Sequence, residues 1–493
     1  MKKLMFVTGI LMMLAFFSCD FIEEETTFIA VNYSTKENYK VKAELLAAGQ
    51  YCNVWVQTNS GVTESDARRM ANVYDRDIYQ KMIDAFGFTD TDENGTFNTM
   101  DIAGELVDGD GKLCILLLDI KDDYNPPTNN SYVGGYFWAG NFFDQENSNN
   151  RSIIFVDVNP GFKKYPEDTY ATLAHEMQHL MNFITALYLR WDGESSFNDF
   201  LMDTWIDEGL ASAAEYIYSG EISQERVNWF NNNGMLRSDG TKYISGLIDK
   251  GNNFFVWGNR EGNGSDESIY ASLDDYATVC LFFQWLRIQD GNDIYKANGI
   301  YKRIIQSENY SDSMAVVSNI NGYGSWDLLL ETWLAANRIK SSNDKFGYKN
   351  AVDVKITYAP ASASPTSLKL FPGEAVYSPV SNNPNVSASG NIVYKYITSS
   401  AVNPGYQANS TLLTYNKNTN IGGEAENGTV TGIAPAASVS AAPVDGSRSV
   451  GTYNRPIRID AGDMLRRKGG NLRNLNSADL RGLSRIKKAA ADE

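Results

Sequence analysis

A single H-E-x-x-H motif constrains the fold of this chain more than any other feature of its sequence. The histidines of the motif, His175 and His179, are the only two histidines in 493 residues. Residues four apart share one face of a helix, so both imidazoles can hold one metal ion. Glu176 lies beside the first histidine, where it can take a proton from water at the metal. The pattern predicts a helix over about residues 170–189 that carries a zinc site; the alternative is a buried helix whose histidines only satisfy hydrogen bonds.

A third ligand must be a carboxylate, because a catalytic zinc normally has three protein ligands and one open position. The best candidate is Glu208, on a second predicted helix over about residues 198–218. Glu208, Ser212 and Glu215 share one face of that helix, so Glu215 is predicted to orient an imidazole from behind. Asp207 is the rival ligand, although its side chain points about 100° away. The alternative for this helix is an acidic face turned to solvent.

The order of predicted elements indicates an α+β catalytic domain over residues 28–345, with an N-terminal mixed sheet and then a helical part. Strands are predicted near 28–33, 39–57, 112–120 and 152–158. A helix capped by Thr63 or Ser65 is expected over 64–86, and two more over 273–289 and 326–339.

Composition changes near residue 350, where Ser, Asn, Ala, Pro and Gly become dominant. Alternating runs such as the one at 391–397 predict a small β-rich module over 346–445, built as a sandwich of short strands. The tail over 446–493 has eleven Lys or Arg and five Asp or Glu. The two interpretations of this tail are a flexible solvated segment and a segment that contacts an anionic surface.

The N-terminus has the pattern of an export signal rather than of a folded element. Lys2 and Lys3 precede an apolar run over 4–17, and the run ends at Ser18-Cys19. This pattern resembles a lipoprotein signal over 1–19, in which Cys19 is lipidated, followed by an acidic tether over 20–27. An ordinary cleaved signal peptide is the alternative. Both interpretations predict an exported protein, anchored to a bacterial membrane or cell surface by the lipid, or secreted.

Charge and cysteine content restrict the remaining classes of function. The formal net charge of −17 disfavours nucleic acid as a partner of the chain's body. Beyond the signal, Cys52, Cys114 and Cys280 remain, which allows at most one internal disulfide. None of the three lies in a C-x-x-C spacing, so the cysteines are poor metal ligands by pattern.

With H-E-x-x-H followed on a later helix by W-x-x-E-G-x-A, the chain resembles the gluzincin peptidases, and within them the hyicolysin family. Further similar stretches lie at 108–112, 134–137, 148–157 and 326–337, so that the resemblance covers about residues 40–345. The resemblance implies a gluzincin-like fold, zinc-dependent proteolysis outside the cytoplasm, and Glu208 as the third zinc ligand. The longer gap from His179 to Glu208 separates the chain from the aminopeptidase gluzincins.

An amide hydrolase also needs a donor for the developing oxyanion. Tyr276 is the candidate, because it begins an apolar helix after Glu208, as a catalytic tyrosine does in the aminopeptidase-type gluzincins that this chain resembles. The alternative is that Tyr276 only packs in the core. Tyr270 is the second choice.

A second metal site is also conceivable in the acidic stretch after residue 89. Asp90, Asp92, Asn94 and Gly95 fit positions 1, 3, 5 and 6 of a calcium loop, with Thr96 next and Asp101 at position 12. The last position normally carries Glu, and a surface turn explains the same residues.

These features together predict a zinc-dependent endopeptidase that hydrolyses extracellular proteins or peptides. His175, His179 and Glu208 hold Zn²⁺, Glu176 is the general base, and Tyr276 steadies the oxyanion. Residues 132–143 are expected to offer an edge strand that aligns the peptide substrate. The alternative function is a surface lipoprotein that binds host or matrix components through a non-catalytic zinc site.

Overall fold

The fold is α+β: a curled N-terminal sheet, then a group of helices, then a β-rich C-terminal region. The computed structural model describes residues 25–92, 95–107, 110–126, 131–143, 145–191, 200–232, 234–236, 242–245, 267–356, 366–380, 383–387, 390–419, 426–431 and 457–460. The predicted signal at 1–19, including Cys19, lies outside these residues.

Six strands of the N-terminal part form one mixed sheet in the order β1-β2-β3-β6-β8-β7. The strands up to residue 245 are β1 (Glu25–Asn32), β2 (Glu37–Ala48), β3 (Cys52–Gln57), β4 (Thr89–Asp92), β5 (Gly95–Asn98), β6 (Leu113–Leu118), β7 (Ser131–Phe137), β8 (Ile153–Asp157), β9 (Gly234–Leu236) and β10 (Lys242–Ser245). Strands β3, β6 and β8 run parallel, while β7 pairs with β8 in the antiparallel direction. The four strand regions predicted from the sequence all fall in this sheet, with residues 39–57 divided between β2 and β3.

Both faces of this sheet are buried, which explains why β6 is apolar at every position. On one face, Val56, Leu117 and Val156 belong to the main core, which they share with the helices. On the other face, Trp55, Leu116 and Phe155 belong to a smaller core that the curled sheet encloses by itself. The successive residues of each strand thus alternate between two cores.

The helices that follow or interrupt the strands are α1 (Glu64–Val73), α2 (Tyr79–Phe86), α3 (Thr99–Val107), α4 (Pro166–Arg190), α5 (Thr204–Ser219), α6 (Gln224–Asn232), α7 (Glu267–Asp290), α8 (Ile300–Ile305), α9 (Met314–Val317) and α10 (Trp326–Ile339). A π-helical turn, Tyr74–Ile78, divides the helix predicted over 64–86 into α1 and α2. Of the two cap residues that the sequence offered, Thr63 caps α1, through a capping box with Asp66. None of the described helices has the length and hydrophobicity needed to cross a bilayer.

Helix α5 lies between α4 and α7, and one glycine permits its close approach to α7. A Cβ atom on Gly209 would lie 2.2 Å from the Phe283 ring of α7, which is shorter than any real contact. The glycine that follows Glu208 therefore has a packing reason in this structure. Because Gly209 is next to Glu208, the same contact constrains the position of Glu208 relative to α7.

The β-rich C-terminal region forms two small sheets. Its strands are β11 (Thr366–Leu370), β12 (Ala375–Pro379), β13 (Asn385–Ser387), β14 (Ile392–Ile397), β15 (Val402–Asn403), β16 (Thr411–Asn416) and β17 (Glu426–Thr431). One sheet has the order β11-β17-β13 and the other β12-β16-β14-β15. Tyr377 donates to the carbonyl of Leu334, and Tyr415 to Asp327, so that the region packs on α10.

One more strand, β18 (Ile457–Asp460), lies within the predicted basic tail. Its backbone pairs in parallel with β7, with Ile457 opposite Ser131 and Ile459 opposite Val133. The outer edge of β7 is therefore covered by a segment of the same chain. The domain boundaries given above remain predictions.

Candidate metal centre

Helix α4 carries both histidines and is almost entirely buried along its middle. Pro166 at the first helical turn favours the start of the helix, because its fixed φ suits that position and its missing N–H is not needed there. His175 and His179 have ring centroids 4.9 Å apart, as expected for two residues on one helix face. His175 has no exposed surface and His179 is 2% exposed. The two imidazoles thus point together into a polar site inside the core.

Helix α5 brings the carboxylate of Glu208 to these imidazoles. One oxygen, Oε2, lies 3.3 Å from His175 Nε2 and 3.4 Å from His179 Nε2. Ligand atoms of the three residues all lie within 4.8 Å of one another, and no other such group of His, Cys, Asp or Glu occurs in the described residues. The structure therefore brings together the three predicted metal ligands.

The chemistry of this group fits a metal ion. Glu208 is completely buried, and neither of its carboxylate oxygens has a hydrogen-bond partner among the described residues. A buried carboxylate without such partners is costly, and a divalent cation removes that cost. Burial raises the pKa of Glu208, but attraction to His179 and His175, when these imidazoles are protonated, outweighs burial and lowers the pKa to about 2. Two imidazole nitrogens and one carboxylate are a donor set that suits zinc.

Two further carboxylates hold the histidines from behind. Glu215 Oε1 lies 3.1 Å from His175 Nδ1, and Asp207 Oδ2 lies 3.0 Å from His179 Nδ1. Asn182 donates to the second oxygen of Asp207. When each Nδ1–H donates to its carboxylate, each Nε2 keeps its lone pair and faces Glu208. Glu215 is thus placed where the sequence predicted, whereas Asp207, the rival ligand, lies behind His179.

The candidate general base, Glu176, lies next to strand β7. The backbone N–H of Phe137 donates to Glu176 Oε2 at 2.9 Å. A Cβ atom on Gly135 would lie 2.9 Å from the Phe155 carbonyl oxygen and from Thr172, so only glycine lets β7 lie this close to α4. The end of β7 is therefore fixed against the helix turn that carries Glu176.

Tyr276, the candidate oxyanion donor, is buried on α7, and its ring centroid lies 6.3 Å from that of His175. The ring is thus near the candidate metal ligands, but a role in stabilising an oxyanion remains a prediction. The side chain of Tyr270 lies outside the described residues.

The calcium loop finds no support in the structure. Strands β4 and β5 pair as an antiparallel hairpin, with Asp90 opposite Phe97 and Thr91 opposite Thr96. Asp90 accepts a hydrogen bond from Tyr188, and Asp101 Oδ2 accepts the N–H of Asn98 at the start of α3. Asn94 lies outside the described residues and nothing groups Asp92 with the other oxygens. A D-x-D-x-N-G stretch also suits the connection of two antiparallel strands, and the described residues of β4 and β5 pair in that way.

Sequence reasoning missed three contributors to this centre. Asn182 lies three residues after His179, so helical spacing alone could have indicated it. The Phe137 N–H and the side chain of Arg226 reach the site from other elements. Arg226 lies 3.8 Å from Glu215 and next to the apolar residues of α6, a weak signal in the sequence.

Comparison with known proteins gives one relevant similarity. The chain is 30% identical over 290 residues to the protein named Neutral metalloprotease ShpI from Staphylococcus hyicus. The matched region is 58% of this chain and 55% of the relative, so the chain spans about half the length of that relative. No protein-family model matches the chain. The similarity supports a relationship with metallopeptidases at the level of the family.

Proposed function

We propose that this chain is a zinc-dependent endopeptidase with a gluzincin-type catalytic domain. The observation that carries the proposal is the meeting of His175, His179 and Glu208 in one buried group, with Glu176 on the same helix. The similarity to a protein named as a neutral metalloprotease agrees with this chemistry. Only three ligands occur in the group among the described residues, which favours an open fourth position and hence catalysis over a closed structural site.

The three ligands would hold Zn²⁺, which would act as a Lewis acid towards the scissile carbonyl and lower the pKa of a water molecule. Glu176 takes the proton of the attacking water and passes it to the leaving amine. The Phe137 N–H holds one Glu176 oxygen, so the other oxygen, Oε1, is the one that faces the reaction. Asp207 and Glu215 keep the imidazoles in the orientation and tautomer that zinc binding requires.

Two parts of the chain contact the substrate in this mechanism. Tyr276 donates to the oxyanion that forms when water attacks the amide carbonyl. The outer edge of β7 aligns a protein or peptide substrate through main-chain hydrogen bonds, with β18 as the segment that must leave or be exchanged. The end of β7 contacts Glu176, so a peptide on this edge runs towards the general base.

Casein hydrolysis by the wild type and by Glu176→Gln tests the proposal. The variant should retain zinc and lose at least about 100-fold in kcat, because the amide cannot accept the proton. Glu167→Gln is a matched control, since Glu167 is exposed in the first turn of the same helix and accepts a hydrogen bond from the Tyr218 hydroxyl. The control should hydrolyse casein like the wild type. Equal cleavage of casein by all three proteins would refute the enzyme hypothesis. The absence of cleavage by any of them while zinc is bound would refute it as well.

Export and lipid anchoring through Cys19 belong to the same proposal. The support is the sequence of residues 1–19, with its two lysines, apolar run and Ser18-Cys19 end. Labelling of cells with a radioactive fatty acid should mark the wild type and leave Cys19→Ser unmarked. A label on both proteins would exclude Cys19 as the lipidated residue.

A further inference from the structure

A buried arginine on α6 contacts the candidate centre and has no role in the mechanism above. Arg226 is 5% exposed, and its guanidinium nitrogen lies 3.8 Å from Glu215 Oε1. Its guanidinium carbon lies 4.6 Å from the centroid of the Tyr276 ring. Burial of a charged side chain is costly unless nearby groups compensate it. Here the carboxylate of Glu215 and the face of an aromatic ring supply that compensation.

The contact between Arg226 and Glu215 is linked to a candidate metal ligand, His175, through one shared oxygen atom. Glu215 Oε1, which faces Arg226, is also the oxygen that lies 3.1 Å from His175 Nδ1. A carboxylate held from two sides has fewer orientations than one held by the imidazole alone. The position of Arg226 therefore bears on the orientation of the His175 ring.

The contact with Tyr276 connects the same arginine to the candidate oxyanion donor. A planar guanidinium stacks well on an aromatic face, which a lysine ammonium does not. Helix α6 is itself attached to α7, because Trp229 Nε1 donates to Asp274 Oδ1 at 2.5 Å. Arg226 thus lies at a junction of three helices, where α6 supplies the cation, α5 the carboxylate and α7 the ring.

We infer that Arg226 is a positioning residue of this centre. It orients His175 through Glu215 and supports the ring of Tyr276, so that a metal ligand and the oxyanion donor keep a fixed relation. The inference rests on the proposed function. A purely structural arginine, which only stabilises the packing of α6, is the alternative that the experiment must separate.

The variants are Arg226→Met, Arg226→Lys and a matched control, Arg303→Met. Arg303 is also a mostly buried arginine paired with an acid, at 2.6 Å from Asp290, but its other hydrogen bonds go to the carbonyl of Asn319 rather than to a group of the candidate centre. Arg226→Met should weaken zinc binding about tenfold and lower kcat about tenfold, because loss of groups behind a metal ligand has effects of this size. KM should change less than about twofold, since no substrate contact is removed. Arg226→Lys should recover part of both losses.

A spectroscopic measurement on the zinc-free protein gives a readout independent of activity. The chain has two histidines, so ¹⁵N-labelled imidazoles give signals from His175 and His179 only. In the wild type both rings should be protonated at Nδ1. Arg226→Met should give His175 a mixture of tautomers and leave His179, which Asp207 holds, unchanged. Arg303→Met should change neither ring and should lower only the melting temperature.

The outcomes separate the two hypotheses. If the wild type neither binds zinc nor cleaves casein, the proposed function and this inference both fail. If the wild type does both, and Arg226→Met loses no more zinc affinity or kcat than Arg303→Met, only the role of Arg226 is refuted. If Arg226→Met does not fold, Arg226→Lys carries the same comparison, because it keeps the buried charge. Adding Arg226→Met to Glu215→Ala should weaken zinc binding less than about twofold further, as expected for residues that act through one another.

Discussion

Buried carboxylates in two regions of this molecule, the candidate metal centre and the end of β8, have different partners. In the candidate metal centre, Glu208 faces two imidazole nitrogens, and attraction to these rings in their protonated form outweighs burial and lowers the pKa of Glu208 to about 2. At the end of β8, Asp157 is also fully buried, but its oxygens accept the backbone N–H groups of Ile120 and Gly161 at 3.2 and 2.8 Å. Burial raises the pKa of Asp157 to about 8, against the effect of those donors.

The difference shows that the partners of a buried acid decide its function. Backbone amides already satisfy Asp157, so this carboxylate fastens the turn after β8 to the end of β6 and offers little to a ligand. Glu208 is directed at lone pairs that a cation can share, so the same chemical group is suited to binding an ion. Three predictions test this contrast, in order of decreasing effect.

The largest expected effect is on zinc affinity in Glu208→Ala. Loss of a direct ligand should weaken zinc binding by more than about 100-fold, since loss of a group behind a ligand already has effects of 10–100-fold. Zinc at 100 times its wild-type Kd should stabilise the wild type by about 2.7 kcal/mol and should not stabilise the variant. Asp157→Ala should bind zinc like the wild type although it is less stable. Titration calorimetry measures the affinities, and equal zinc loss in both variants would abolish the contrast.

The second prediction concerns pH and stability. A carboxyl whose pKa is higher in the folded state stabilises the fold fully below its unfolded pKa of about 3.9, and this stability is lost as the pH rises through about 8. The wild type should therefore lose on the order of 2 kcal/mol relative to Asp157→Asn between pH 5 and pH 6.5. Urea unfolding of the zinc-free proteins at the two pH values measures this difference. A difference that grows in the opposite direction would show that Asp157 is ionised in the fold.

The smallest expected effect is that of Asp207→Asn. The amide oxygen can still accept the His179 Nδ1–H but carries no charge, so zinc affinity should fall only about tenfold, at the lower end of the usual range. Competition with a fluorescent zinc chelator resolves a change of this size. An unchanged affinity would mean that the charge of Asp207 does not support His179.

Much of the candidate centre could be predicted because its geometry is local. The spacing of His175 and His179 and the spacing of Glu208 and Glu215 each lie within one helix, so helical periodicity placed them correctly. The role of Asp207, as a ligand or as a support of His179, depends on how α5 is rotated against α4. No local pattern encodes this rotation, so Asp207 stayed a rival ligand in the sequence analysis. Arg226 was missed for the same reason, since its contacts join helices that are far apart in sequence.

The same difference between local and long-range information decides which parts of the fold could be predicted from the sequence. The helix Trp326–Ile339 was predicted with its observed limits, because Ser325 caps it and its apolar residues are periodic. Helix α4 begins earlier than the predicted residue 170, because Pro166 starts it. The calcium pattern finds no support in the structure, and the turn chemistry of Asp, Asn and Gly also suits the connection of a β-hairpin such as that of β4 and β5. The pairing of β18 with β7 depends on residues more than 300 positions apart, beyond any local pattern.

The thiol groups of this protein have a practical consequence. Cys52, Cys114 and Cys280 are all buried and are not joined by disulfides, and burial raises the pKa of Cys280 to about 12. Such thiols react slowly with alkylating reagents while the surrounding core stays closed. They lie on β3, β6 and α7. The alkylation rate of each thiol therefore measures how often the part of the core around it opens.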